Sequence, residues 1–212
     1  METEKVAESR TLWNAEPNCL IVSCHPLKDS LCHHLVGRVE AGLAANGVSY
    51  EHLDLYGCGF EAVLTAAERA SYFSQFDDSA VGGETARLKR AETLILVFPT
   101  WWFGMPALLK GWFDRVWAPG VAFDSVAETG AITPALGNLK SCLAITTMTS
   151  PWKIDRLFLR QPVKRVMKGA ILKACAPQAA FEMLSLYGVA ALDEARLEAF
   201  CRKIDRAVAQ IR

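Results

Sequence analysis

Three short segments of this chain carry the side chains that could do chemistry. They cover residues 23–30 (Ser-Cys-His-Pro-Leu-Lys-Asp-Ser), 99–106 (Pro-Thr-Trp-Trp-Phe-Gly-Met-Pro) and 146–152 (Thr-Thr-Met-Thr-Ser-Pro-Trp). Each follows an apolar run that predicts a buried strand. Because ligands of open α/β sheets bind beyond the carboxyl ends of the strands, the three segments are the predicted binding region.

The first segment ends where a helix is predicted over residues 30–46. Free backbone N–H groups and the helix dipole at such a start favour a phosphate or pyrophosphate, and His25 and Ser30 could add hydrogen-bond donors. The alternative is a proline-containing turn in which Ser30 only caps the helix. Both interpretations stay open on this segment alone.

The second segment places Trp101, Trp102 and Phe103 on a turn between two prolines, with a tight bend expected at Gly104. Rigid backbone N–H groups beside aromatic faces suit a planar heterocycle with polar edges. The aromatic rings could instead fill a core beneath the loop. The third segment offers hydroxyl and N–H donors at a strand end, but threonine is also an ordinary strand residue.

The elements that must position these segments alternate strand and helix along the chain, which predicts an α/β fold with a doubly wound parallel sheet and helices on both faces. Residues 117–138 are predicted to form a long loop. Pro106 is expected at the first position of its helix, and Asp193 is expected to cap the last one. Strands are predicted over residues 19–24, 48–55, 93–99, 139–147 and 181–187, and the principal helices over 30–46, 83–91, 106–116 and from 193 onward.

Composition narrows the class of protein. The 212 residues are 51% hydrophobic and 22% charged, which excludes disordered and collagen-like chains. The 23 basic and 23 acidic residues cancel, which argues against a nucleic-acid partner. Seven cysteines without a Cys-x-x-Cys pair favour the reducing cytoplasm over a disulfide framework. Residues 1–17 are interpreted as a flexible tail without a signal sequence, and residues 18–212 as one domain without a transmembrane segment.

A family resemblance rests on three pieces of sequence. These are His25-Pro followed by Ser30-Leu, the block Leu96-Val-Phe-Pro-Thr-Trp-Trp-Phe-Gly-Met-Pro-Ala-Leu-Leu-Lys-Gly-Trp-Phe-Asp-Arg-Val116, and Ile145-Thr-Thr. Together they resemble the flavodoxin-like NAD(P)H:quinone oxidoreductase family, which includes the mammalian quinone reductases and the modulator of drug activity B. The central block is specific to this family, whereas the other two pieces are weak without it. The resemblance extends over roughly residues 19–150.

The resemblance implies a flavodoxin-like five-stranded sheet that binds a flavin, FAD with FMN as the alternative. It implies hydride transfer from NADPH or NADH through flavin N5 to a quinone or similar small acceptor by a ping-pong mechanism, in a cytoplasmic homodimer. Trp102, Phe103 and Phe123 would line the catalytic pocket. The implied cofactor-binding residues are His25, Ser30, Leu31, Cys32, Pro99, Thr100, Trp101, Trp102, Phe103, Gly104, Thr146, Thr147, Met148 and Thr149.

The chain departs from the family pattern in three ways. Met148-Thr149 replaces the usual pair of glycines, and Phe123 stands where relatives often carry tyrosine. No tyrosine or histidine lies between Thr147 and Tyr187 to form the family's proton-relay pair. The alternatives are therefore a regulatory flavoprotein subunit of a membrane transport system, a one-electron flavodoxin-type carrier, and a homologue without flavin.

Three further signals have competing interpretations. Residues 153–173 hold seven basic side chains and one acid, Asp155, which fits a solvated face, a site for the 2′-phosphate of NADPH, or a docking surface for an acidic partner. Gly57-Cys-Gly-Phe-Glu-Ala62 matches the loose dinucleotide fingerprint, but no clear helix follows it. The four histidines show no metal-ligand spacing, so no metal is expected.

Overall fold

The computed structural model describes residues 18–125 and 131–212 of the chain. The predicted tail of residues 1–17 lies outside the described residues. Five parallel strands form one sheet in the order β2-β1-β3-β6-β7, which is the flavodoxin-like order and confirms the predicted fold class. The strands are β1 (Cys19–Ser23), β2 (Tyr50–Asp54), β3 (Thr93–Pro99), β6 (Ser141–Met148) and β7 (Ala180–Tyr187).

The burial of each strand matches its central or edge position in the sheet. All seven residues of β3 are buried, as expected for a central strand covered on both faces. The edge strand β2 reads Tyr-Glu-His-Leu-Asp and buries only Leu53. The parallel register places Val97 beside Ser23 on one side and beside Ile145 on the other.

Helices cover both faces of the sheet, and the strand alternation separates two cores. On one face α1 (Leu31–Ala45) and α7 (Glu194–Val208) pack against Ile21, Val97 and Ile145. On the other face α3 (Gly82–Arg90) and α4 (Ala107–Val116) pack against the neighbouring residues of the same strands. Asp193 caps α7 as predicted, since its carboxylate accepts a hydrogen bond from the Arg196 N–H at 2.7 Å.

Two local predictions need correction. Pro106 is the N-cap of α4 with φ −54° and ψ 147°, and the first helical residue is Ala107. The stretch predicted to be a loop contains a small antiparallel pair, β4 (Phe123–Ser125) with β5 (Ile132–Pro134). Three-residue strands carry too little alternation to show in a sequence pattern.

The return from β6 to β7 is a chain of short helical pieces. It runs through a π-helical turn (Ile154–Phe158), α5 (Pro162–Val166), a second π-helical turn (Met167–Leu172) and α6 (Lys173–Cys175). The helical path is interrupted at Arg160 and Gln161, which have left-handed φ values of 57° and 52°. None of the described helices is long and apolar enough to cross a membrane.

A buried ion pair between Glu68 and Arg115 connects the segment after β2 to α4. That segment holds α2 (Ala66–Ser71), and its Glu68 receives hydrogen bonds from Arg115 Nε at 2.9 Å and Nη2 at 2.6 Å. Burial alone would raise the pKa of Glu68, but hydrogen bonds from Arg115 and from Thr65 hold that pKa below its ordinary value. Gly111 permits the close approach, because a Cβ there would lie 2.3 Å from the Ala62 carbonyl oxygen.

Candidate functional site

The structure brings the three chemistry-bearing segments together at one edge of the sheet. Strands β1, β3 and β6 are parallel neighbours, so the residues that follow them emerge side by side. The Thr100 N–H donates to the Thr147 carbonyl at 2.8 Å, and the Cys32 thiol lies 3.6 Å from the Thr147 hydroxyl. The strand order reverses between β1 and β3, which is where ligands of open α/β sheets bind.

The start of α1 presents free hydrogen-bond donors at this edge. Ser30 is the N-cap, and its hydroxyl accepts from the His33 N–H at 3.4 Å. The N–H groups of Leu31 and Cys32 have no acceptor among the described residues. Two free N–H groups at the start of a fifteen-residue helix are the arrangement that favours a bound anion.

His33 and Asp54, which were not among the site residues expected from the sequence, support this helix start. His33 lies between the Ser30 hydroxyl, 3.0 Å from Nδ1, and the Asp54 carboxylate, 3.3 Å from Nε2. The signal in the sequence is the Ser-x-x-His spacing, which places a serine cap beside a histidine one helical turn later. Gly57 makes room for Asp54, because a Cβ at Gly57 would lie 2.6 Å from Asp54 Oδ2. This contact accounts for the glycine without a dinucleotide site.

The aromatic turn is a two-residue reversal closed by Trp101 and Gly104. The Gly104 N–H donates to the Trp101 carbonyl at 2.9 Å, and the Trp101 N–H donates back at 3.2 Å. Trp102 and Phe103 occupy the two central positions with φ of 51° and 57°, the pattern of a type I′ turn. The bend expected at Gly104 therefore lies at Trp102 and Phe103. Left-handed backbone at bulky residues costs about 1–3 kcal/mol each.

The rings on this turn are exposed to different degrees. Trp102 is 99% exposed and Trp101 is 42% exposed, whereas Phe103 is half-buried. The ring centroids of Trp101 and His25 lie 6.4 Å apart, and the ring planes are tilted by 57°. The first and second segments are therefore neighbours here. The alternative in which these aromatics fill a core is wrong for Trp102.

Polar groups beside the turn are left without partners. The Thr100 hydroxyl is buried and makes no hydrogen bond among the described residues. The N–H groups of Trp102 and Phe103 likewise have no acceptor within the described chain. A buried hydroxyl and two free N–H groups next to aromatic faces suit the polar edge of a planar ligand.

The third segment contributes less than its residue types suggest. Thr146 is fully buried and its hydroxyl donates to Ser185 at 3.1 Å, so this side chain is already satisfied inside the sheet. Met148 continues β6 opposite Tyr187 and is 4% exposed. By strand alternation its side chain lies on the face opposite that of Thr147, away from the start of α1. Thr149 is exposed just beyond the strand.

Two other expected residues take less direct positions. Pro99 is the last residue of β3 and is buried beside Thr147, so it shapes the backbone rather than facing solvent. Phe123 lies in β4 opposite Pro134 and packs against the core. No described contact joins Phe123 to the aromatic turn.

A tyrosine–aspartate pair lies at the same edge of the sheet. The Tyr187 hydroxyl, at the end of β7, donates to Asp155 Oδ2 at 2.8 Å. Asp155 is 3% exposed, and the Arg156 guanidinium lies 5.6 Å from the Tyr187 ring centroid. Sequence spacing does not reveal this pair, because its hydrogen bond joins residues 32 positions apart.

The cysteines near the site are inert thiols at neutral pH. Burial raises the pKa of Cys24 to about 12. Burial also raises the pKa of Cys32 to about 11, although the hydrogen bond with Thr147 acts in the opposite direction. Because the thiolate is the nucleophile and these thiols stay protonated, cysteine-based catalysis is not supported here.

A doubly wound sheet with an anion site and an aromatic turn at its reversal point defines a flavodoxin-like α/β protein. The comparison with known families agrees. Residues 17–204 match the family Flavodoxin_2, described as having a flavodoxin-like fold, and the chain belongs to that family.

Individual relatives are oxidoreductases by name. The chain is 33% identical over 107 residues to the uncharacterized NAD(P)H oxidoreductase YcaK of Escherichia coli K12, covering 49% of this chain and 54% of that one. It is 41% identical over 147 residues to NAD(P)H dehydrogenase [quinone] 1 of Rattus norvegicus, covering 60% and 52%. The chain thus spans about half the length of the curated relatives that it matches.

Solved structures share the architecture over nearly the whole chain. The NAD(P)H:quinone oxidoreductase from Methanothermobacter marburgensis superposes with a TM-score of 0.78 at 25% identity, over 93% of this chain and 98% of that one. An FMN-dependent NADH-azoreductase from Bacillus anthracis, solved in complex with FMN, superposes with a TM-score of 0.72 at 16% identity, over 91% of this chain and 98% of that one. The second likeness concerns the fold alone.

Proposed function

We propose that this protein is a flavin-dependent NAD(P)H oxidoreductase that reduces a quinone or a similar small acceptor. The observation that carries the proposal is the rigid aromatic turn, with its exposed Trp102 and its unpartnered N–H groups, set beside the free helix start at the reversal point of the sheet. An anion site next to a planar-ligand site matches the two ends of a flavin nucleotide.

Each end of a flavin has a set of residues that fits it. The N–H groups of Leu31 and Cys32, with Ser30 and His25 beside them, would hold the phosphate end. The aromatic turn and the buried Thr100 hydroxyl would border the ring system. When bound, the flavin supplies the two-electron chemistry that protein side chains lack.

The proposal includes FAD as the cofactor, with FMN as the alternative. Support for FAD is the family resemblance, and support for a flavin in general is the fit of the two ends of the site. Binding of FAD and FMN to the cofactor-free protein, compared by fluorescence titration, decides between them. A Ser30→Ala variant should weaken FMN binding more than riboflavin binding, because riboflavin has no phosphate.

The decisive experiment is the visible absorption spectrum of the purified protein before and after NADPH is added without air. We expect flavin bands that bleach on addition of NADPH and return when a quinone is added. A colourless protein that takes up neither FAD nor FMN overturns the proposal. Initial rates with both substrates varied test the ping-pong mechanism, which gives parallel double-reciprocal lines.

The proposal extends to a cytoplasmic homodimer. The fully exposed Trp102 ring gives the physical motive, since a second subunit would cover this apolar surface. Sedimentation or light scattering of the wild type beside a Trp102→Glu variant tests it. The wild type should have twice the mass of the chain, and the charged variant should shift toward the single-chain mass.

A further inference from the structure

A cavity with unpaired positive charge lies outside the candidate flavin site. It has a volume of about 1060 Å³ and is lined by parts of residues 160–181. Among the described residues, no carboxylate and no residue of the candidate flavin site lines it. Five of the lining side chains are cationic: Arg160, Lys164, Arg165, Lys168 and Lys173.

These five charges lack partners within the described chain. None of their side chains makes an ion pair or a hydrogen bond with a described residue. In other parts of the described chain several arginines are paired, as Arg38 is with Asp205 at 2.6 Å. Lys164 and Lys168 are one helical turn apart, and like charges at this spacing repel. A bound anion would relieve this repulsion.

The cavity also has an apolar floor and an unusual backbone. Leu172 and Phe181 contribute apolar surface beneath the cations. Its rim begins at Arg160 and Gln161, two successive residues in the left-handed region, and its wall includes the π-helical turn Met167–Leu172. Left-handed backbone at residues other than glycine and π-helical turns are both concentrated at functional sites.

We propose that this cavity binds a phosphate-bearing polyanion, either a soluble oligophosphate or the headgroups of an anionic phospholipid. Arginine forks and lysine ammonium groups are the donors that phosphate oxygens prefer. Lys164 in α5 and Lys168 in the following π-helical turn are only four residues apart, so one compact polyanion reaches both. A second copy of this chain fits poorly, because a symmetric contact would set the cationic surface against itself.

The first test is a titration of the flavin-saturated protein with inorganic pyrophosphate, followed by calorimetry and by amide NMR. We expect saturable binding that shifts the Gly169 amide signal and leaves the Gly104 signal in place. Lys164→Gln/Lys168→Gln should weaken binding about tenfold, as expected for the loss of two partly exposed charge pairs. Lys89→Gln/Lys203→Gln removes the same charge from exposed positions outside the cavity and should leave the affinity unchanged.

The same titration without flavin separates this cavity from the flavin site. Affinity at the cavity should not depend on flavin, because the two sites share no residue. Equal losses in the two double variants, a shift of the Gly104 signal instead of the Gly169 signal, or no saturable binding to pyrophosphate or to vesicles would each overturn the proposal.

The second test distinguishes the source of the phosphate. Vesicles of phosphatidylcholine alone and vesicles that also contain phosphatidylglycerol are sedimented with the protein. Cosedimentation with the anionic vesicles only, abolished by Lys164→Gln/Lys168→Gln and by competing pyrophosphate, assigns the cavity to lipid headgroups. Binding of pyrophosphate without cosedimentation assigns it to a soluble oligophosphate.

Discussion

Replacing Trp102 with asparagine should make the isolated protein more stable. Trp102 has φ of 51° and occupies the first central position of the turn, where asparagine is favoured and tryptophan is strained. Its ring is 99% exposed, so its removal gives up almost no buried apolar surface. Relief of the left-handed strain is then the dominant effect, about 1 kcal/mol of unfolding free energy.

Urea unfolding and thermal unfolding of the flavin-free protein, at concentrations low enough for the chain to be monomeric, measure this gain. For a chain of this size about 1 kcal/mol corresponds to an increase of roughly 2–4 °C in Tm. Trp101→Asn is the matched control, because Trp101 lies one residue earlier, is outside the left-handed region and is more buried. We expect the control to lower Tm, since it loses packing and relieves no strain.

The same Trp102→Asn change should weaken flavin binding. An aromatic face against a flat ligand is worth about 1 kcal/mol, which corresponds to roughly a fivefold increase in Kd. A stabilised protein with weaker flavin binding is the expected pair of results. An unchanged or lower Tm, or an equal gain in Trp101→Asn, would refute the claim that strain at Trp102 governs the stability of this turn.

Four further predictions concern the framework around the site and the exposed thiol. Arg115→Met leaves the Glu68 carboxylate buried without its partner and should cost about 3–5 kcal/mol in urea unfolding, most of it recovered when Glu68→Gln is added. The pKa of Glu68 is lower in the folded than in the unfolded protein, so its ionised carboxylate contributes fully to folding stability above the ordinary pKa of 4.5. This contribution is lost as pH falls through the lower folded pKa. Acid unfolding curves of wild type and Glu68→Gln should therefore converge at low pH. A thiol reagent at neutral pH should label one cysteine fast, and Cys58→Ser should remove that phase, because Cys58 is exposed and the other six cysteines are buried. Gly57→Ala should lower stability by about 1–3 kcal/mol through its clash with Asp54, whereas Gly137→Ala should be tolerated, because Gly137 has no close neighbour and no positive φ.

The sequence predicted the sheet well because burial along its strands is continuous. Apart from Thr93 the run 93–99 is apolar, and all of it is buried at the centre of the sheet. The sequence could not locate the bend in the aromatic turn, since glycine is the usual left-handed residue and the structure uses Trp102 and Phe103 instead. It could not pair Tyr187 with Asp155 either, because that hydrogen bond joins residues 32 positions apart.

A buried polar atom without a hydrogen-bond partner indicates a binding site only when its surroundings also point to a ligand. The Trp112 and Trp117 indole N–H groups are also buried without partners among the described residues, yet their rings pack edge to face within the core, with centroids 6.2 Å apart. The Thr100 hydroxyl differs because it adjoins free N–H groups, a strained turn and an exposed ring. The two unpartnered indoles are a modest cost of core packing, whereas the cluster around Thr100 has several costs that a single bound ligand would remove together.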